Sequence, residues 1–130
     1  MAAHAGVVRL RLSQAGRLLR TRDFERVYRQ GRRRRSPHFV LIATPNQLHR
    51  TRFGLSVQAR LGGAVVRNRI KRRVREILRR HRPEKPRVHA AGEATGWDVV
   101  VQPLSAEVAA ADFAALSEEL TRLVETSLNR

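Results

Sequence analysis

Apolar positions recur at helical spacing in three stretches and cluster in three others. In TRDFERVYRQG (21–31), Phe24, Val27 and Tyr28 fall at i, i+3 and i+4, which predicts a short helix with one apolar face. Thr21 suits its N-cap, Asp23 and Glu25 sit where the helix dipole favours anions, and Gly31 suits its end. HFVLIATP (38–45) and RFGLSVQA (52–59) are β-rich runs joined by the polar NQLHRT, and together predict an antiparallel pair. RLGGA (60–64) is a breaker. From Val65 to His81, VVRNRIKRRVREILRRH reads as one helix. Val66, Ile70, Val74, Ile77 and Leu78 fall within an arc of roughly 120°, leaving the rest to Asn68, Arg69, Lys71, Arg72, Arg75 and Arg79. Residues 82–96 form a patternless Pro/Gly/Ala connector. WDVVVQP (97–103) is apolar enough for a central strand. The stretch from Ser105 onward predicts a helix with Phe113, Leu116, Leu120 and Leu123 on one face. The order helix, strand, strand, helix, strand, helix is that of a single α/β sandwich, helices covering a small sheet. Residues 1–16 read as a flexible arm in which VVRLRL forms a short strand or nothing, and residues 17–130 as one domain.

Charge changes this picture. The 130 residues hold 27 Lys plus Arg against 11 Asp plus Glu, a net +16. Such a field destabilises the compact state unless a polyanion offsets it. There is no cysteine, which excludes a disulfide-linked partner and thiolate metal sites. No apolar run approaches the ~20 residues that cross a bilayer, and Arg9 and Arg11 interrupt any signal-peptide core. The cytoplasm is the expected location, with no membrane partner.

Candidate chemistry follows from the cations. RNRIKRRVRE places Arg67 and Asn68 at the start of the long helix, where free N–H groups and the positive end of the dipole lie beside guanidinium groups. Charged helix faces are usually only solvated, but here opposite charges at i, i+4 are nearly absent, which points to a polyanion without saying which. Phe24, Tyr28 and Phe39 could stack unpaired bases or equally form an ordinary core stripe. GRRRR (31–35) reads as a mobile cationic loop. The five histidines show no metal-ligand spacing, and the acids no catalytic or metal-binding pairing.

FGLSVQARLGGAVVRNRIKRRVRE, with its Arg67-Asn68-Arg69 motif, resembles the most distinctive segment of the protein subunit of bacterial ribonuclease P. RLLRTRDFERVYRQG is similar to that family's first helix, FVLI to its next strand and WDVVVQP to its last, so the resemblance covers roughly residues 17–128. It implies an α+β two-layer sandwich, ribosomal protein S5 domain 2-like, whose small central sheet carries three helices and a left-handed βαβ crossover against the usual right-handed rule. It also implies a subunit of an endoribonuclease whose partner RNA, with Mg²⁺, removes the 5′ leader of precursor tRNA. The resemblance assigns Arg67, Asn68, Arg69, Lys71, Arg72 and Arg75 to the catalytic RNA. It assigns Phe24, Tyr28, Phe39, Ser56 and Arg60 to the leader, and gives the protein itself no catalytic residue and no metal site.

The chain departs from the family pattern in two places. Gln58 and Ala59 precede Arg60 where more cations are usual, and Gln102 stands near an expected Arg. Both changes remove cations near the leader site and suggest that leader binding shifts toward Arg32–Arg35. Composition alone also fits a structural RNA binder such as a small ribosomal protein, and a nuclease acting alone is a third reading.

Overall fold

The computed structural model describes residues 7–8, 20–46, 48, 51–80, 87–88 and 94–128. Its elements are β1 (Val7–Val8), α1 (Thr21–Gln30), β2 (Arg32–Arg35), β3 (Phe39–Pro45), β4 (Arg52–Ser56), α2 (Ala64–Arg80), β5 (Arg87–Val88), β6 (Ala94–Thr95), β7 (Trp97–Pro103) and α3 (Phe113–Leu128). Short 3₁₀ turns at Ala59–Leu61 and Ala106–Ala109 precede α2 and α3. One sheet has the order β1-β4-β7-β3-β2, and β5 and β6 form a separate hairpin within the expected connector.

The expected β3–β4 pair does not form, because β7 lies between them, antiparallel to β3 and parallel to β4. A parallel neighbour needs a crossover, and α2 supplies it. β7 gains most from the central place: its valines are buried on both faces. The expected GRRRR loop is the edge strand β2, paired with β3 from Arg32–Ala43 to Arg35–Val40. Of the N-terminal arm, Val7–Val8 pairs with β4 and the rest of residues 1–16 lies outside the described residues.

Alternation divides the core. Phe39, Leu41, Phe53, Leu55, Val99 and Val101 face α2 and α3, meeting Ile70, Val74, Ile77 and Leu78 from one and Leu116, Leu120, Leu123 and Val124 from the other. Ile42 and Val100 face the opposite way, onto Phe24 and Val27 of α1. α2 and α3 thus share one face of the sheet and α1 covers part of the other.

Local chemistry sets the ends of the helices. Arg20, not Thr21, is the N-cap of α1, and Asp23 accepts a hydrogen bond from the Arg20 N–H at 3.0 Å. Gly31 follows α1 because a Cβ there would meet Val27 O at 2.5 Å and Ile42 Cγ2 at 2.6 Å. Gly62, at φ 150°, turns the chain from the first 3₁₀ turn toward α2. α3 begins later than expected, at Phe113, since the Asp112 carboxylate accepts from the Ala115 N–H at 3.0 Å and so caps it.

The β2–β3 turn is tied to α3 through Glu119. This carboxylate accepts from Ser36 Oγ at 2.5 Å and the His38 N–H at 2.8 Å, and it meets His38 Nδ1 at 2.8 Å. Burial pushes its pKa up, but the hydrogen bonds from Ser36 and His38, with the attraction of His38, outweigh burial and hold it below the ordinary carboxylate value. A depressed folded pKa adds stability above the ordinary value that is lost as pH falls through the folded one. Glu119→Gln should therefore cost about 1–3 kcal/mol at neutral pH, and that deficit should shrink on acidification. Urea melts of both proteins across the acidic range check this.

Candidate nucleic-acid interface

α2 is built to bury one side and charge the other. Ile70, Val74, Ile77 and Leu78 are buried, and half-buried Val66 packs on the same core. Opposite them, Asn68, Arg69 and Arg72 are exposed, with Lys71 and Arg75 half-exposed. None of these five has a side-chain hydrogen bond or ion pair among the described residues. Glu76, the only acid of α2, is taken up by Arg79 and by Arg80 Nε at 3.2 Å. The Arg79 hydrogen bond comes first among the causes that lower its pKa. The unneutralised charge is thus concentrated in the first half of the helix.

Two arginines of α2 point elsewhere. Arg67 is half-buried and its Nε has no partner among the described residues. At 100° per residue it falls between Val74 and Leu78, inside the apolar arc, so its chain emerges from the core rather than from the wet face. Arg73 went unrecognised in the sequence and is structural. Its Nη1 donates to Val108 O at 2.7 Å, and its guanidinium lies 5.6 Å from the Phe113 ring centroid, with that of Arg80 at 5.2 Å.

The five residues assigned to the leader do not share one surface. Phe24 and Phe39 have no exposed area and lie on opposite faces of the sheet, Phe24 under α1 and Phe39 against α2 and α3. Neither ring offers a stacking face, which corrects that expectation for both. Ser56 has the parity of the α1 face, but at 3% exposure beside β1 its side chain is closed off. Tyr28 is half-buried at the margin of the α1 cluster, and Arg60 is exposed in the turn after β4, its Nε donating to Gln58 Oε1 at 2.6 Å.

A row across the sheet explains what remains. Val40 stands opposite Gln102, and Ser56 follows one step past the Leu55–Val101 pair, so Ser56, Gln102 and Val40 line up across three strands. Tyr28 reaches this row from α1, and its hydroxyl accepts from Gln102 Nε2 at 3.4 Å. Val40 and Gln102 are half-buried. A partly open strip of aromatic, apolar and amide groups therefore runs beside α1. Sequence reasoning missed Val40 because strand order decides its neighbours.

The other end of α1 is closed by charge. Asp98, fully buried, accepts from Arg52 Nε at 2.8 Å, Arg52 Nη2 at 2.7 Å, Asn46 Nδ2 at 2.8 Å and Arg26 of α1. Burial lowers the pKa of Arg52, but the hydrogen bond and charge of Asp98, with the charge of Asp23, outweigh it and raise the pKa above its ordinary value. Among the described residues no three His, Asp or Glu side chains converge to hold a metal ion, and no helix is long and apolar enough to cross a membrane.

The family model of ribonuclease P matches residues 12–127. The chain belongs to the ribonuclease P protein family. Its curated relatives include the ribonuclease P protein component of Roseiflexus castenholzii, 40% identical over 112 residues that cover 84% of this chain and 85% of that one. That of Thermotoga maritima is 35% identical over 112 residues, covering 84% and 89%. The solved ribonuclease P protein of Thermotoga maritima superposes with a TM-score of 0.69 at 32% identity, over 84% of this chain and 96% of that one. The Staphylococcus aureus protein shares the fold, with a TM-score of 0.67 at 24% identity over 85% and 94%. The role is that of the protein subunit of ribonuclease P in tRNA processing, and its partner is ribonuclease P RNA.

Proposed function

We propose that the chain works as a cationic adaptor with two separate RNA surfaces, while its RNA partner breaks the scissile bond. Asn68, Arg69, Lys71, Arg72 and Arg75 dock the ribonuclease P RNA and release its counterions. Tyr28, Val40 and Gln102 receive unpaired leader nucleotides of precursor tRNA, with Arg60 in the turn beyond Ser56. Mg²⁺ serves the chemistry at the RNA and substrate, not at a protein site.

The strip in which Tyr28 and Gln102 meet at 3.4 Å, away from the cations of α2, carries this reading. A surface with few charges and one aromatic ring suits bases, whereas α2 suits phosphates. The acids support a non-catalytic protein, because their hydrogen bonds serve the fold: Asp98 binds Arg52 and Arg26, Glu119 binds Ser36 and His38, and Asp112 caps α3. Selection of precursor over mature tRNA then follows, since only the precursor fills the strip.

Tyr28→Ala should weaken precursor binding to the reconstituted holoenzyme by about 1–3 kcal/mol per base unstacked. Mature tRNA binding and docking of the protein to its RNA should be unchanged. Equal loss of both would place Tyr28 in the core instead. Filter binding with the two tRNA forms provides the comparison.

A further inference from the structure

β2 is a row of four consecutive arginines, Arg32–Arg35, all exposed on the edge of the sheet. None forms an ion pair or a side-chain hydrogen bond with a described residue. Isolated charges on an edge strand guard against strand addition. Four adjacent guanidiniums exceed that need, and their mutual repulsion calls for an anion.

Register determines where they point. Directly opposed residues of an antiparallel pair project on the same side. Arg33 and Arg35 stand opposite Ile42 and Val40, so they share the face of α1, while Arg32 and Arg34 share the face of Ala43 and Leu41. Arg35 is therefore the next position in the row formed by Ser56, Gln102 and Val40. With strands about 4.8 Å apart, it lies about 10 Å from Gln102. The Ser56 end of the row adjoins the turn into α2, and β2 is the far edge.

On the other side, a groove between β2 and α3 is lined by residues 33–35 of the strand and by Arg122, but also by Glu118 and Glu119. Two carboxylates there disfavour phosphate. Charge complementarity thus selects the α1 face for an RNA strand.

We infer that Arg33 and Arg35 form a phosphate rail for the outer nucleotides of the leader, those beyond the segment held at Tyr28 and Val40. The inference rests on the leader reading above and adds a second zone to it. Substrate length becomes a determinant of affinity: a short leader fills the Tyr28 strip alone, and a longer one also reaches β2.

Reconstituted holoenzyme and precursor tRNAs whose leaders lengthen stepwise test this. The wild-type protein should gain affinity in two stages. R33A/R35A should keep the first stage and lose the second, weakening long-leader binding about three- to tenfold and flattening its salt slope by about 0.7 per phosphate no longer neutralised. R33K/R35K should retain most of the second stage, and R32A/R34A should leave both unchanged. The rail is overturned if R33A/R35A keeps the second stage, if R32A/R34A removes it equally, or if the loss is independent of leader length, which would mean that β2 touches the catalytic RNA. Failure of the underlying reading looks different: the wild-type protein itself would then not distinguish precursor from mature tRNA.

Discussion

Alanine in place of Asp98 is expected to cost about 3–5 kcal/mol of folding stability, the usual penalty for breaking a buried ion pair from one side. The carboxylate has no exposure and accepts from Arg52 twice, from Asn46 and from Arg26. Its removal leaves two guanidiniums facing each other, each 3.8 Å from the Asp23 carboxylate. That loss corresponds to a fall in melting temperature on the order of 10–20 °C. Because Arg26 belongs to α1, the effect reaches beyond stability. α1 rests on a small cluster of Phe24, Val27, Ile42 and Val100, so the clamp at Asp98 is its second attachment. Loosened, α1 no longer holds Tyr28 against Gln102. Long-leader and short-leader precursors should both bind more weakly at temperatures where the variant is still folded. Urea melts and precursor titrations check the two effects, and a stability change below about 1 kcal/mol would mean that the clamp is an ordinary surface pair.

Arg69→Ala with Arg72→Ala should produce the largest loss on the docking side. Both side chains are exposed and unpaired among the described residues, so stability should stay within about 0.5 kcal/mol. Affinity for ribonuclease P RNA should fall, and the slope of its logarithm against log salt should flatten by about 0.7–0.9 for each phosphate that the variant no longer neutralises. Arg73→Ala is the contrasting control. It removes the bond to Val108 O and the stacking on Phe113, so it should lower stability. An unchanged salt slope in the double variant would move the docking surface away from α2.

The extents of α1, α2, β3 and β7 were legible because their pattern is local. α1 ends where Gly31 is forced by the close approach of Ile42, and α2 spans Ala64–Arg80, within a residue of its expected range. Strand order was not legible. Nothing within FVLIATP or RFGLS says that WDVVVQP, far along the chain, will insert between them. The same gap misplaced Phe39, since a run apolar at every position gives no parity, and only pairing assigns its face. Phe24 was ambiguous in another way: i, i+3, i+4 spacing describes a buried stripe and an open cleft alike. Four like charges gave β2 no alternation to read, so its strand character emerged only from its ladder with β3.

For the functional surfaces, the division is similar. The cation strip of α2 could be drawn from a helical wheel, apart from Arg67, whose angle already placed it in the apolar arc. The proposed leader strip could be drawn only in part: Tyr28 and Gln102 stood out in the sequence, but only the tertiary structure brings them into one row with Val40.

A cleavage assay of the purified chain, freed of all RNA by nuclease treatment and repurification, addresses the division of labour most directly. Given precursor tRNA and Mg²⁺, it should leave the substrate intact, and adding ribonuclease P RNA should restore removal of the leader. Trimming by the chain alone, at the mature 5′ end, would contradict the account.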